Sequence, residues 1–198
     1  MNNEYLQSAI KQFEYYKMLG EKTFEQLTDD QLFWQANVES NSIAVIVKHL
    51  SGNMLSRWTD LLTTDGEKPW RDRDAEFNNN DMISRSDMLN CWNEGWQTLL
   101  DALYALQPGD LEKIIYIRNQ GHSVLEAINR QLAHYPYHIG QIVFIGKMLA
   151  GQWTSLSIPR GKSVGYNTDK FSKPKRRQHF TDEILSNGKQ NDDTATGK

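Results

Sequence analysis

The sequence predicts an all-α protein: a four-helix bundle with a long loop after the second long helix and a small extended insert before the fourth. Three observations carry this. Residues 3–27, 42–62, 84–106 and 123–151 each repeat apolar side chains at helical spacing. Polar segments rich in turn residues separate them. A single cysteine, Cys91, in 198 residues excludes an internal disulfide framework, so the fold must rest on a core, for which 38% apolar residues suffice.

In the first helix Leu6, Ile10, Phe13, Tyr16 and Phe24 recur among Glu and Lys. Thr28-Asp29-Asp30-Gln31 reads as a capping box before a short turn carrying Leu32, Phe33 and Trp34. The second helix opens IAVIV, which alone could be a strand. Its spacing of Ile46, Val47, Leu50, Met54, Trp58 and Leu61 persists too long for one, and helix wins. Residues 63–83 are polar and aperiodic, a long loop in which Trp70 and Phe77 could act as anchors. Ser84 caps the third helix, which carries Met88, Trp92, Trp96, Leu99 and Leu103 and stops at Pro108-Gly109. Trp92 and Trp96 suit core packing, with a dimer face as the alternative. Residues 111–117 (LEKIIYI) are the one candidate strand, followed by a turn at Asn119-Gln120-Gly121. Ser123-Val124-Leu125-Glu126 is a capping box for the fourth helix, in which Pro136 predicts a kink.

Residues 1–171 are expected to form one domain and residues 172–198 a disordered polar tail, with only four apolar residues and the run KPKRR. Without the tail's six basic and four acidic residues the body holds 16 basic against 21 acidic, which gives no electrostatic case for nucleic acid. No apolar run is long enough for a membrane span, and the N-terminal MNNEYLQSAIKQFEYYK lacks the form of a secretory signal, so a cytoplasmic location is expected.

The histidines carry the chemistry. His134 and His138 lie four apart on the fourth helix, which stacks both imidazoles on one face where they can share one metal ion. His49 lies in the apolar second helix, where a lone imidazole is costly unless it is paired or ligates. Gly52, one turn on, leaves space for a ligand, and Asn53 and Gln141 share the faces of the histidines. The alternatives are a surface pair at 134 and 138 and a satisfied core histidine at 49. His122 and His179 are set aside. Three histidines without cysteine leave coordination positions open, as in catalytic sites, and suit Zn, Ni, Fe(II) or Cu(II).

The stretches HLSGNMLSRW (49–58) and AHYPYHIGQIVFIGKML (133–149) resemble the DinB-like, or YfiT-like, superfamily. Its pattern is one histidine on the second helix and His-x-x-x-His-x-Gly-Gln on the last long one. Here these are His49 and His134-Tyr-Pro-Tyr-His138-Ile-Gly140-Gln141, and the likeness extends over most of residues 3–168. The resemblance implies a four-helix bundle, frequent homodimers, and a divalent ion on His49, His134 and His138, with Zn or Ni ahead of Fe or Mn. Characterised relatives join low-molecular-weight thiols such as bacillithiol to electrophiles, with the thiol bound to the metal as thiolate. Pro136 is unusual for the pattern and puts the coordination geometry in question.

The leading expectation is therefore a metal-dependent enzyme acting on a small molecule, in the manner of a thiol S-transferase. Asn53 and Gln141 would orient ligands or substrate from the outer shell. Arg57 and Arg160 are candidates to hold an anionic group on the substrate, or else pair with acids. Metal-dependent hydrolysis and a non-catalytic dimeric scaffold are the alternatives. No general base is identifiable; Asp60, Asp65 and Asp72 are candidates by proximity alone.

Overall fold

The computed structural model describes residues 2–78 and 84–185, which are mostly helical with one two-stranded sheet. The long helices are α1 (Asn2–Phe24), α3 (Ile43–Trp58), α4 (Arg85–Ala105) and α5 (Val124–Leu149). Short helices α2 (Asp29–Phe33) and α6 (Ser163–Phe171) follow α1 and α5, and the hairpin of β1 (Ile114–Ile117) and β2 (Gln120–Ser123) precedes α5. Residues 79–83 of the expected loop and 186–198 of the expected tail lie outside the described residues.

Local caps start the helices where the sequence puts them. The hydroxyls of Ser42, Ser84 and Ser123 accept the N–H groups of Val45, Asp87 and Glu126. Glu126 Oε2 completes the last box by accepting Ser123 N–H at 2.7 Å. Each bond satisfies a donor that the first helical turn cannot use internally.

The helices bury one continuous core. α3 packs on α4 and α5, and α1 packs on α5 and α4. Trp92 and Trp96 are fully buried, with Phe24 edge-on to Trp92 at 4.9 Å, so they are core and not an exposed dimer face. At the α3–α4 contact a Cβ on Gly95 would stand 2.8 Å from Ser51 Cα. Only hydrogen there lets the two backbones approach so closely. Between α3 and α5, Trp58 Nε1–H donates to Tyr135 Oη and Tyr135 O–H donates to Asn53 Oδ1, both at 3.0 Å. This buried chain sets the register of α5 against α3. α5 runs unbroken through Pro136.

The hairpin differs from expectation. Its turn is Arg118-Asn119, both in the left-handed region (φ 54° and 59°), and not Asn119-Gln120-Gly121. Positive φ at both central residues suits the two-residue hairpin turn, at a cost of about 1–2 kcal/mol for a residue such as Arg. Asp65 offsets that cost: its two carboxylate oxygens accept the N–H groups of Arg118 and Asn119, each at 2.8 Å. Gly66 N–H also donates to Tyr116 O, tying the hairpin to the loop after α3. The strand begins at Ile114, because residues 108–112 form a 3₁₀ turn.

Part of the segment expected to be disordered returns to α1. His179 Nε2 lies 2.9 Å from Ser8 Oγ, Asp182 pairs with Lys11 at 2.6 Å, and Thr181 is fully buried. Low apolar content hid this, since the docking uses polar pairs and one edge contact of Phe180 with Tyr15. Among the described residues no helix is long and apolar enough to cross a membrane.

Candidate metal centre

His49 projects from α3 toward α5, where His134 and His138 face it from successive turns. One ring nitrogen of each lies within 4.8 Å of the others. The three are close enough to bind one metal ion.

The hydrogen bonds on the far side of each ring decide which nitrogen is offered. His49 Nδ1 lies 2.9 Å from Glu76 Oε2. A carboxylate only accepts, so Nδ1 carries the proton and Nε2 holds the lone pair. His134 Nδ1 meets Gln131 Oε1 at 3.2 Å, and His138 Nδ1 meets Gln141 Oε1 at 2.8 Å. With both Nδ1 atoms donating to amide oxygens, the Nε2 lone pairs of His134 and His138 face each other at 3.1 Å. Two lone pairs so placed repel unless a cation or proton lies between them. Nitrogens about 2.0–2.1 Å from one ion stand about 3.0–3.4 Å apart at ordinary coordination angles, so the His134–His138 pair already stands at the separation of two ligands of one ion, with the His49 nitrogen within 4.8 Å of both. Pro136 does not turn either imidazole away.

Glu76 is the principal residue that sequence reasoning missed. It is buried, its Oε1 accepts Arg71 Nε–H at 2.7 Å, and its Oε2 accepts Arg71 Nη2–H at 3.1 Å. Burial pushes the Glu76 carboxyl up, but its bonds to His49 and Arg71 and the Arg71 charge hold it below its ordinary value. Phe77 stacks on the His49 ring at 5.0 Å, so one of the two expected aromatic anchors holds the loop, whereas Trp70 is exposed. Gly52 serves a different purpose from the one expected. A Cβ there would lie 2.3 Å from Glu76 Oε1, so the missing side chain makes room for the carboxylate and not for a ligand.

A cavity of about 380 Å³ opens beside His49 and His134, with Asn53 and Gln131 also in its wall. Arg57, Arg71, Arg73, Arg118 and Arg130 line the rest. Asn53 thus reaches the cavity, though its recorded bond is to Tyr135 and not to a histidine. Gln141 bonds His138. Arg57 is in the cavity wall, paired with Glu67 and the Gly66 carbonyl. Arg160 is exposed beyond α5 and does not line the cavity. Of the candidate bases, Asp65 holds the hairpin turn and Asp72 accepts the N–H groups of Asp74 and Ala75; neither they nor Asp60 line the cavity. Gln131 had a signal, since it sits three before His134 on one helix. Glu76 and the other arginines had none beyond the length of the loop.

The profile of a family described as "Protein of unknown function (DUF1572)" matches residues 1–162. The chain belongs to this family. No curated protein and no solved structure matches it. The DUF1572 span contains the three histidines, their three oxygen partners and the five cavity arginines, and ends just before α6.

In this DUF1572 protein the His134 imidazole is pushed down to about 4, first by burial and then by His138, His49, Arg130 and Arg57. Burial also lowers His138; the bond to Gln141 opposes this and His49 adds to it. Both rings are therefore neutral near pH 7, as a metal requires. Between the ordinary value of 6.5 and about 4 the unfolded chain binds a His134 proton that the folded chain does not. Stability therefore rises with pH across that window. We expect denaturant midpoints of the metal-free protein to fall as pH drops through it, and His134→Gln to flatten part of the slope. A slope unchanged by that substitution contradicts the assignment.

Proposed function

We propose that this protein is a metal-dependent enzyme of the DinB-like superfamily, its long helices forming that superfamily's four-helix bundle. It activates a low-molecular-weight thiol at an ion held by His49, His134 and His138. The observation that carries this is the set of three imidazoles with their Nδ1 sides committed to Glu76, Gln131 and Gln141. Such outer partners fix ring orientation and tautomer before an ion arrives. A divalent ion held there, zinc or nickel, supplies the charge that lowers the pKa of a bound thiol or water.

One feature supports thiol transfer over hydrolysis. Among the described residues no carboxylate lines the cavity, and hydrolysis needs a group that takes and returns protons. A thiol has only to lose its own. The thiol comes from outside the chain, because Cys91 does not line the cavity and burial raises its pKa. Asn53 faces the bound molecule from the α3 side, and Arg57 offers charge to an anionic part of it.

The test is an assay of metal-reconstituted protein with bacillithiol, glutathione or cysteine and a generic electrophile. Metal-dependent conjugation that is lost in His138→Ala supports the proposal. Ester cleavage without thiol consumption would move the protein to the hydrolases.

A further inference from the structure

The cavity wall holds more positive charge than the fold uses. Arg57 and Arg118 converge on Glu67 Oε2 at 3.1 Å, and Arg71 reaches the same oxygen at 3.8 Å. Arg71 also spans Glu76, which is already shared with His49. Three guanidiniums thus share two carboxylates. Arg73 and Arg130 pair with no carboxylate among the described residues; Arg73 lies over the Phe77 ring at 5.3 Å. Arg57 is only 7% exposed, and its Nε has no hydrogen-bond partner. That nitrogen is shut off from solvent, so the unpaired charges a ligand can reach are those of the exposed Arg73 and Arg130. The chain as a whole has a net charge of -3, so this local excess does not follow from a basic composition. The arginines arrive from α3, the loop after it, the hairpin turn and α5, which makes an accident of one basic helix face untenable.

We propose that the arginine-walled cavity is a subsite for a dianionic group, a phosphate or a dicarboxylate, carried by the small molecule that reacts at the histidines. One singly charged carboxylate would leave part of the excess unmatched, whereas a dianion presents enough oxygens for Arg73 and Arg130 in forked geometry. Its placement beside the histidines rests on the functional proposal above; the anion site itself rests on the arginines alone.

Calorimetric titration of chelator-treated protein with inorganic phosphate, and separately with succinate, tests this at low ionic strength. Saturable binding is expected for at least one, and the tighter of the two names the chemistry. Binding should weaken with salt and fall at least about tenfold in the Arg73→Ala/Arg130→Ala double variant. Both side chains are exposed, so the fold should persist, checked by circular dichroism, and Arg160→Ala should bind as the wild type does. Absence of saturable binding for both anions, or equal binding by the double variant, overturns the subsite. So does binding that appears only with added metal and is lost in His138→Ala but not in the arginine variant, because the anion is then on the ion. Dianion binding by a protein that takes up no metal retains the subsite and defeats the functional proposal. Metal uptake without dianion binding does the reverse.

Discussion

His49→Ala and His138→Ala are each expected to abolish uptake of a divalent ion while leaving the helical content intact. The fall in affinity should exceed the roughly 10–100-fold typical of losing an outer partner, because a donor itself is gone. His138 lies on α5 with its ring partly open to solvent, so truncation leaves no large core void. His49 is buried, and its removal also leaves Glu76 without one of its two partners, so His49→Ala should cost more stability than His138→Ala. Metal content by mass spectrometry, on untagged protein, with competition against a chromophoric chelator, gives the comparison. Stoichiometric, tightly held metal in both variants would falsify the three-histidine centre.

The second large effect comes from behind His49. Glu76→Ala leaves the buried Arg71 guanidinium with only its 3.8 Å approach to Glu67, which predicts a loss toward the lower end of about 3–5 kcal/mol, and frees the His49 ring to turn. Metal affinity should drop by about 10–100-fold. Glu76→Gln keeps an oxygen for His49 but surrenders the charge opposite Arg71, so it should fall between Glu76→Ala and the wild type on both measures. Gly52→Ala perturbs the same carboxylate without removing it. Its Cβ displaces the Glu76 carboxylate, yet alanine favours the α3 helix by about 1 kcal/mol. Because moving the carboxylate also strains its pair with Arg71, this variant should melt below the wild type but above Glu76→Ala, while binding metal as weakly as Glu76→Gln or worse. Unchanged metal affinity in Gly52→Ala would show that Glu76 does not orient His49.

What the chain disclosed in advance follows the range of the contacts involved. The capping serines, the helical periodicity and the His134–His138 pair are relations over three or four residues, and each appears in the structure as the spacing implied. Gln141 was visible for the same reason. Glu76 was not, because its bond to His49 spans 27 residues through an aperiodic loop. Gly52 was misread for want of that partner, since a gap in a helix face does not say what fills it. The turn of the hairpin slipped by one position because Asp65, 53 and 54 residues away, supplies the acceptors that let Arg118 and Asn119 adopt positive φ. The arginines gather from four separate segments, and no periodicity links them.

The placement of His49 on α3 and of His134 and His138 on α5 has a thermodynamic consequence. An ion shared by those two helices is a removable cross-link, present in the folded chain and absent from the unfolded one. With the proposed ion, folding and metal supply would be linked quantities: free ion at a hundred times its dissociation constant would add about 2.7 kcal/mol to the folded state. The melting temperature then becomes a gauge of available metal. If the ion binds as proposed, a metal-poor compartment removes that clamp and leaves α3 and α5 joined by the Trp58–Tyr135–Asn53 chain, while the contacts of α4 with α3 and of α1 with α5 persist.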